Sequence, residues 1–194
     1  MTEQCGKTIS ANSAGRKRIG QDELAVRGAR ASARAMSARP LALEDLAALL
    51  PAKARLIGVD LGTKTIGLAL SDVERRIGTP LLTIERKKFT TDAQQLSAAI
   101  QRFEALALIV GLPLNMDGSE GPRAQATRAF LRNFARLDAT PVALWDERLS
   151  TAAVNRSLIE NDVSRAKRAA VIDQMAAAYI LQGALDRLAA IAEG

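Results

Sequence analysis

The chain has 194 residues, a formal net charge of +6, a pI near 10, no histidine and a single cysteine, Cys5. That inventory excludes serine–histidine and cysteine–histidine catalysis, histidine general bases, clustered Cys/His zinc sites and a disulfide framework. Carboxylates, lysines, hydroxyls and a hard divalent cation such as Mg²⁺, which binds carboxylate oxygens and substrate phosphates, are what remain for chemistry.

Residues 1–40 carry eight basic residues against three acidic ones, +5 of the overall +6. Few large apolar groups accompany them, so this segment cannot offset its own ordering entropy and is expected to be a disordered basic arm. It is open to several readings: a non-specific phosphate binder, a solvated tail, a transit-type segment, or a start assigned upstream of Met36. No apolar run reaches about 18 residues, so the expectation is one cytoplasmic domain over residues 41–194, with its core at about 55–190 and no membrane partner.

Leu41, Leu43, Leu46, Leu49 and Leu50 form a short amphipathic lead-in that Pro51 ends. Arg55–Asp60, Ile66–Ser71 and Thr79–Ile84 read as three strands joined by short turns, hence an antiparallel meander. Thr91 with Gln94 resembles a capping box opening a helix to about Glu104. Ala107–Gly111 is uniformly apolar, as a central parallel strand is. A loop from Leu112 to Gly121 leads to a helix from Pro122 to about Leu137. Pro141–Trp145 is a short strand, Ser150 or Thr151 caps a helix to about Glu160, and a long helix runs from about Arg165 to Ala190. The fold class is therefore α/β: a mixed five-stranded sheet, antiparallel meander plus parallel βαβ strands, covered by helices.

In such a sheet, ligands gather outside the carboxyl ends of the parallel strands. Asp60 ends the first strand before a glycine turn, where it reads either as a turn cap or as a site carboxylate. Asp146 and Glu147 end the fifth strand, which topology brings to the same edge. Asp173 shares a helical face with Ala176, Ala177, Ile180 and Ala184, small enough to approach the sheet, while Asp186 points elsewhere. Three gathered carboxylates repel one another unless a cation lies between them, which gives a Mg²⁺ or Mn²⁺ site and phosphodiester hydrolysis.

Lys64 stands one turn beyond Asp60, as a phosphate contact or as a solvated turn lysine. In the loop before the Pro122 helix, Asn115, Ser119 and Arg123 are the polar groups placed to touch a nucleotide backbone. Arg148, Arg156, Arg165, Lys167 and Arg168 could line a groove, though a solvated face explains them as well. With only six aromatic residues, shape and backbone recognition fit better than base stacking.

Four segments together carry a resemblance: Gly58-Val59-Asp60-Leu61-Gly62-Thr63-Lys64-Thr65-Ile66-Gly67, the Val110-to-Ala124 loop, Asp146-Glu147-Arg148-Leu149-Ser150-Thr151, and Asp173-Gln174-Met175-Ala176-Ala177. They occur in order between about Leu56 and Leu185. The chain resembles the YqgF/RuvX-like family, RNase H-like pre-16S rRNA nucleases also described as Holliday junction resolvases. The resemblance implies an RNase H-like fold and Asp60, Glu147 and Asp173 as catalytic and metal-binding carboxylates, with Asp146 as the substitute for Glu147. It further implies nuclease action on the 5′ end of pre-16S rRNA in ribosome biogenesis, with ribosomal subunit precursors as partners, as a monomer or homodimer. The alternatives are a resolvase acting on four-way DNA and a non-catalytic RNA-binding assembly factor. An ATP-binding phosphotransferase would need a second copy of the Asp60-Leu61-Gly62-Thr63 pattern, and none occurs.

Overall fold

The structure is a computed structural model that describes residues 39–149 and 165–193. The arm expected over residues 1–40 lies outside it except for Arg39 and Pro40, as does the helix expected after Ser150 or Thr151. In chain order the elements are α1 (Leu43–Leu49), β1 (Arg55–Leu61), β2 (Thr65–Ser71), β3 (Gly78–Glu85), α2 (Phe89–Arg102), β4 (Ala105–Leu112), α3 (Pro122–Phe134), β5 (Val142–Asp146), a 3-10 turn (Glu147–Leu149) and α4 (Arg165–Glu193).

The five strands form one sheet in the order β3-β2-β1-β4-β5. β1 pairs antiparallel with β2 and β2 with β3, while β1 with β4 and β4 with β5 are parallel. This is the mixed RNase H-like sheet expected from the sequence. β4 is buried at every position, which explains its unbroken apolar run.

Strand alternation sorts the apolar side chains onto two faces. Ile57, Val59, Leu108, Val110, Phe130 and Phe134 belong to one core, covered by α2 and α3. Leu56, Ala107, Ile109, Ala177, Ile180 and Leu181 belong to the other, covered by α1 and α4. Each fully buried Leu, Ile or Phe contributes about 1.5–3 kcal/mol of transfer free energy. α4 is long and apolar enough over Ile172–Glu193 to cross a membrane by length and composition, but here its Ala177, Ile180, Leu181 and Ala184 are buried against the sheet.

One start differs from expectation. α2 begins at Phe89, two residues before Thr91, so Thr91 lies inside the helix and the proposed capping box does not form; Lys88 at the cap makes no side-chain hydrogen bond. Asp92 takes over the role: its carboxylate accepts the Lys87 N–H at 2.9 Å from inside the first turn. It also faces the Arg86 guanidinium at 3.7 Å, which accounts for a carboxylate only 1% exposed.

Candidate active site

Asp60 stands at the carboxyl end of β1, 6% exposed, with Gly67 opposite it on β2. It lies two residues beyond Gly58, where an added Cβ would come within 2.6 Å of the Ala177 carbonyl oxygen of α4. Asp60 therefore faces α4, while its neighbours Val59 and Leu61 face the opposite core. The turn that follows is braced from behind. Arg86 donates from Nη1 to the Gly62 carbonyl at 2.8 Å, and its backbone N–H donates to the Lys64 carbonyl at 2.9 Å.

Gly67 decides how near α4 can come. A side chain there would collide with the Asp173 backbone, so only glycine lets this turn of the helix settle on the sheet. Asp173 is thus held directly over the Asp60–Gly67 pair. Thr65, on the same face as Gly67, donates its hydroxyl to Asp173 Oδ2 at 2.6 Å and orients that carboxylate.

The adjacent Asp146 and Glu147 go to different places. Val142 and Leu144 pack into the α2/α3 core, so Asp146, two residues on, continues that face. There Arg148 grips it: Nη2 donates to Oδ2 at 2.7 Å, Nε lies 3.1 Å from both oxygens, and the Arg148 N–H donates to Oδ1 at 3.0 Å. The Arg148 hydrogen bond holds the Asp146 carboxyl below its ordinary range. Glu147, just past the strand end, swings to the α4 face. Its carboxylate occupies the space over Gly111, where a Cβ would sit 2.5 Å from Oε1 and 2.6 Å from Ile180 Cδ1. Val59 pairs with Val110, so Gly111 is the next position beside Asp60. Asp60, Glu147 and Asp173 consequently share one face and one edge, and Asp146 does not share that face.

The loop residues are engaged differently from the sequence expectation. Asn115 Nδ2 donates to Ser119 Oγ at 2.9 Å, and Ser119 donates to Asp117 Oδ1 at 2.6 Å. These side chains fold the loop rather than project from it. Gly118, at φ +86°, closes the turn, and Arg148 Nη1 reaches the Met116 carbonyl at 3.3 Å, tying the loop to the end of β5. Lys64 and Arg123 are exposed. Arg156 lies outside the described residues; Arg165, Lys167 and Arg168 fall at the start of α4.

Three residues escaped the sequence reading: Thr65, Arg86 and Gly111. Thr65 was legible in principle, being two positions before Gly67 on one strand face. Arg86 and Gly111 act through contacts 24 and 36 positions apart in sequence, to Gly62 and Glu147, which no local pattern reports.

The donor set fits a hard divalent ion in kind, since it consists of carboxylates and a hydroxyl, with the Glu147 carboxylate seated over Gly111. As the side chains stand, no three acidic, histidine or cysteine residues among the described residues are grouped closely enough to hold one.

An open mixed sheet in the order β3-β2-β1-β4-β5, with Asp60 and Asp146–Glu147 at the carboxyl ends of β1 and β5, is the RNase H-like arrangement. A family model described as "RuvX: Holliday junction resolvase" matches residues 54–187, and the chain belongs to that family. A relative from Methylocella silvestris, named "Putative pre-16S rRNA nuclease", is 66% identical over 79% of this chain and 95% of its own length. One from Beijerinckia indica with the same name is 63% identical over 81% of this chain and 96% of its own. Among solved structures, T. thermophilus RuvC in complex with Holliday junction substrate covers 70% of this chain and 96% of its own at 14% identity and a TM-score of 0.43, too loose a likeness to carry an argument.

Proposed function

We propose that this nuclease hydrolyses a phosphodiester bond in the 5′ region of precursor 16S rRNA, acting in the cytoplasm on ribosomal subunit precursors. What supports the reading is that Asp60, Asp173 oriented by Thr65, and Glu147 seated over Gly111 lie on the same face of the sheet. Relatives above 60% identity bear the pre-16S rRNA nuclease name, which supports RNA as the substrate.

Asp60, Glu147 and Asp173 would hold Mg²⁺ or Mn²⁺, which when bound supplies Lewis acidity toward the phosphate and a more acidic water. The protein's own part is positional. Arg86 fixes the turn after Asp60, Thr65 aims the Asp173 carboxylate, and Gly111 leaves room for Glu147. Lys64, exposed on the turn, serves as a point charge for a substrate phosphate, and Arg123 at the start of α3 as a second. Arg148 joins Asp146 to the loop carbonyl of Met116, so its contribution is to hold the loop carrying Asn115 and Ser119 beside the edge.

The second reading, cleavage of four-way DNA, is favoured by the description of the family model. It would place two copies of the chain on one junction. A purely RNA-binding assembly factor has no use for three carboxylates on one face. Incubating the chain with Mg²⁺ and an RNA bearing the 16S 5′ extension, beside a four-way DNA, separates the readings. Cleavage of the RNA alone supports the proposal, and cleavage of the junction alone replaces it with the second.

A further inference from the structure

A groove lies away from the carboxylates, between α3 and the segment that leads into α1. The Leu41 N–H donates to the Val142 carbonyl at 2.8 Å, so Leu41 covers the open edge of β5 and fixes Arg39 and Pro40 opposite α3. The space between them holds about 360 Å³ and is floored by Leu131 and Val142, with Arg39, Arg128 and Arg132 around it and no acidic residue among the described lining residues. Arg128 is committed, its guanidinium forked onto Glu120 at 2.6–2.8 Å. Arg39 and Arg132 are exposed and enter no ion pair among the described residues.

Two uncommitted guanidiniums flanking an apolar floor match an anion joined to an apolar or sugar body, at a volume typical of small-ligand sites. The groove's place in the fold points to the source of that anion. α3 begins with the loop at the catalytic edge and ends at the groove, so Arg132 lies about 15 Å along the helix from Pro122. A single strand that rounds the sheet edge from the carboxylates and follows the side of α3 bearing Arg128 and Arg132 would reach Arg39, while Arg123, nine positions before Arg132, lies on the opposite side of the helix. Arg39 itself belongs to the segment, residues 1–40, whose composition gives +5 of the net charge.

We propose that this groove binds the phosphodiester backbone of single-stranded RNA flanking the cleaved bond, with Arg39 and Arg132 as its phosphate contacts. The proposal rests on the nuclease reading for its biological sense, but its test does not depend on cleavage. The full chain is titrated into a labelled oligouridylate of about 20 nucleotides in EDTA, followed by fluorescence anisotropy across a salt series. Arg132→Glu and Arg39→Glu together should weaken binding about tenfold or more and reduce the salt slope by about 1.4, since each phosphate contact on a single strand contributes about 0.7. Arg132→Lys should restore most of the affinity, because a point charge suffices for a phosphate. Wild-type affinity and slope in the double variant would overturn the proposal, as would displacement of the RNA by oligoglutamate at equal charge. Failure of the wild-type chain to cleave any RNA would instead defeat the functional reading, and the binding series would still decide the groove.

Discussion

Glu147 and Gly111 share one volume: the carboxylate of the first fills the place where the second would carry a side chain, with Oε1 2.5 Å from the ideal Cβ position. The neighbouring strand brings Asp60 alongside. Gly111→Ala should therefore displace Glu147 while leaving its chemistry intact. The expected cost is about 1–3 kcal/mol of stability, the usual range for one methyl group forced into a filled space. Cleavage should fall at least tenfold even where the variant is fully folded. Denaturant unfolding alongside steady-state cleavage tests this, and a folded variant with wild-type activity would remove Glu147 from the mechanism.

The two adjacent acids make a sharper contrast. Glu147→Gln should abolish cleavage, whereas Asp146→Asn should retain it and instead loosen the loop that Arg148 ties to Met116. Limited proteolysis of the 112–121 loop would show the second effect.

Asp146 also carries a pH dependence. Its carboxyl is held below the ordinary value by the Arg148 hydrogen bond. A depressed folded-state pKa means stability that is fully present above the unfolded-state value, about 4, and is lost as pH falls through the folded one. With both side chains partly exposed, 33% for Arg148 and 21% for Asp146, the amount should stay below about 1 kcal/mol. The stability advantage of the wild type over Asp146→Asn should be constant above pH 5 and shrink between about pH 5 and pH 3. Unfolding midpoints measured across that window check it, and an advantage that grows on acidification contradicts the assignment.

Thr65→Val keeps the shape and removes the hydroxyl that donates to Asp173 Oδ2. Loss of a hydrogen bond to a charged group costs about 1.5–3 kcal/mol, or roughly 10- to 100-fold in rate if it is expressed in the transition state. Thr65→Ser should recover most of the activity. Equal rates in the valine and serine variants would show that the hydroxyl plays no part.

Arg86 sits behind the site, donating to the Gly62 carbonyl, facing buried Asp92, and lying 5.8 Å from the Phe130 ring centroid. Arg86→Met should destabilise the fold by about 1–3 kcal/mol, because Asp92 stays buried with only the Lys87 N–H as a described hydrogen-bond donor. It should lower kcat more than it raises KM, since the turn after Asp60 loses its brace. A change in KM alone would instead indicate a direct substrate contact.

Much of this was readable from residues alone, for reasons that are physical. β4 announced itself by an unbroken apolar run, and the meander by short turns between alternating strands. Asp173 stood out because small residues share its helical face. What escaped depended on partners distant in sequence or on competition between equal local signals. Asp146 and Glu147 are adjacent acids, and only the parity of β5, set by Val142 and Leu144 in one core, sends one to Arg148 and the other over Gly111. Thr91 offered a capping box that lost to Asp92, whose buried position depends on Arg86. Asn115 and Ser119 read as ligand contacts, yet a loop closed by Gly118 at positive φ uses those same groups for its own turn.

The central claim is that Asp60 belongs to a carboxylate site that cleaves RNA. The most direct measurement compares wild type and Asp60→Asn, both shown to be folded, on an RNA bearing the 16S 5′ extension with Mg²⁺ or Mn²⁺ and with EDTA. The account predicts metal-dependent cleavage by the wild type and none by Asp60→Asn. Equal cleavage by the two proteins, or undiminished cleavage by the wild type in EDTA, would contradict it.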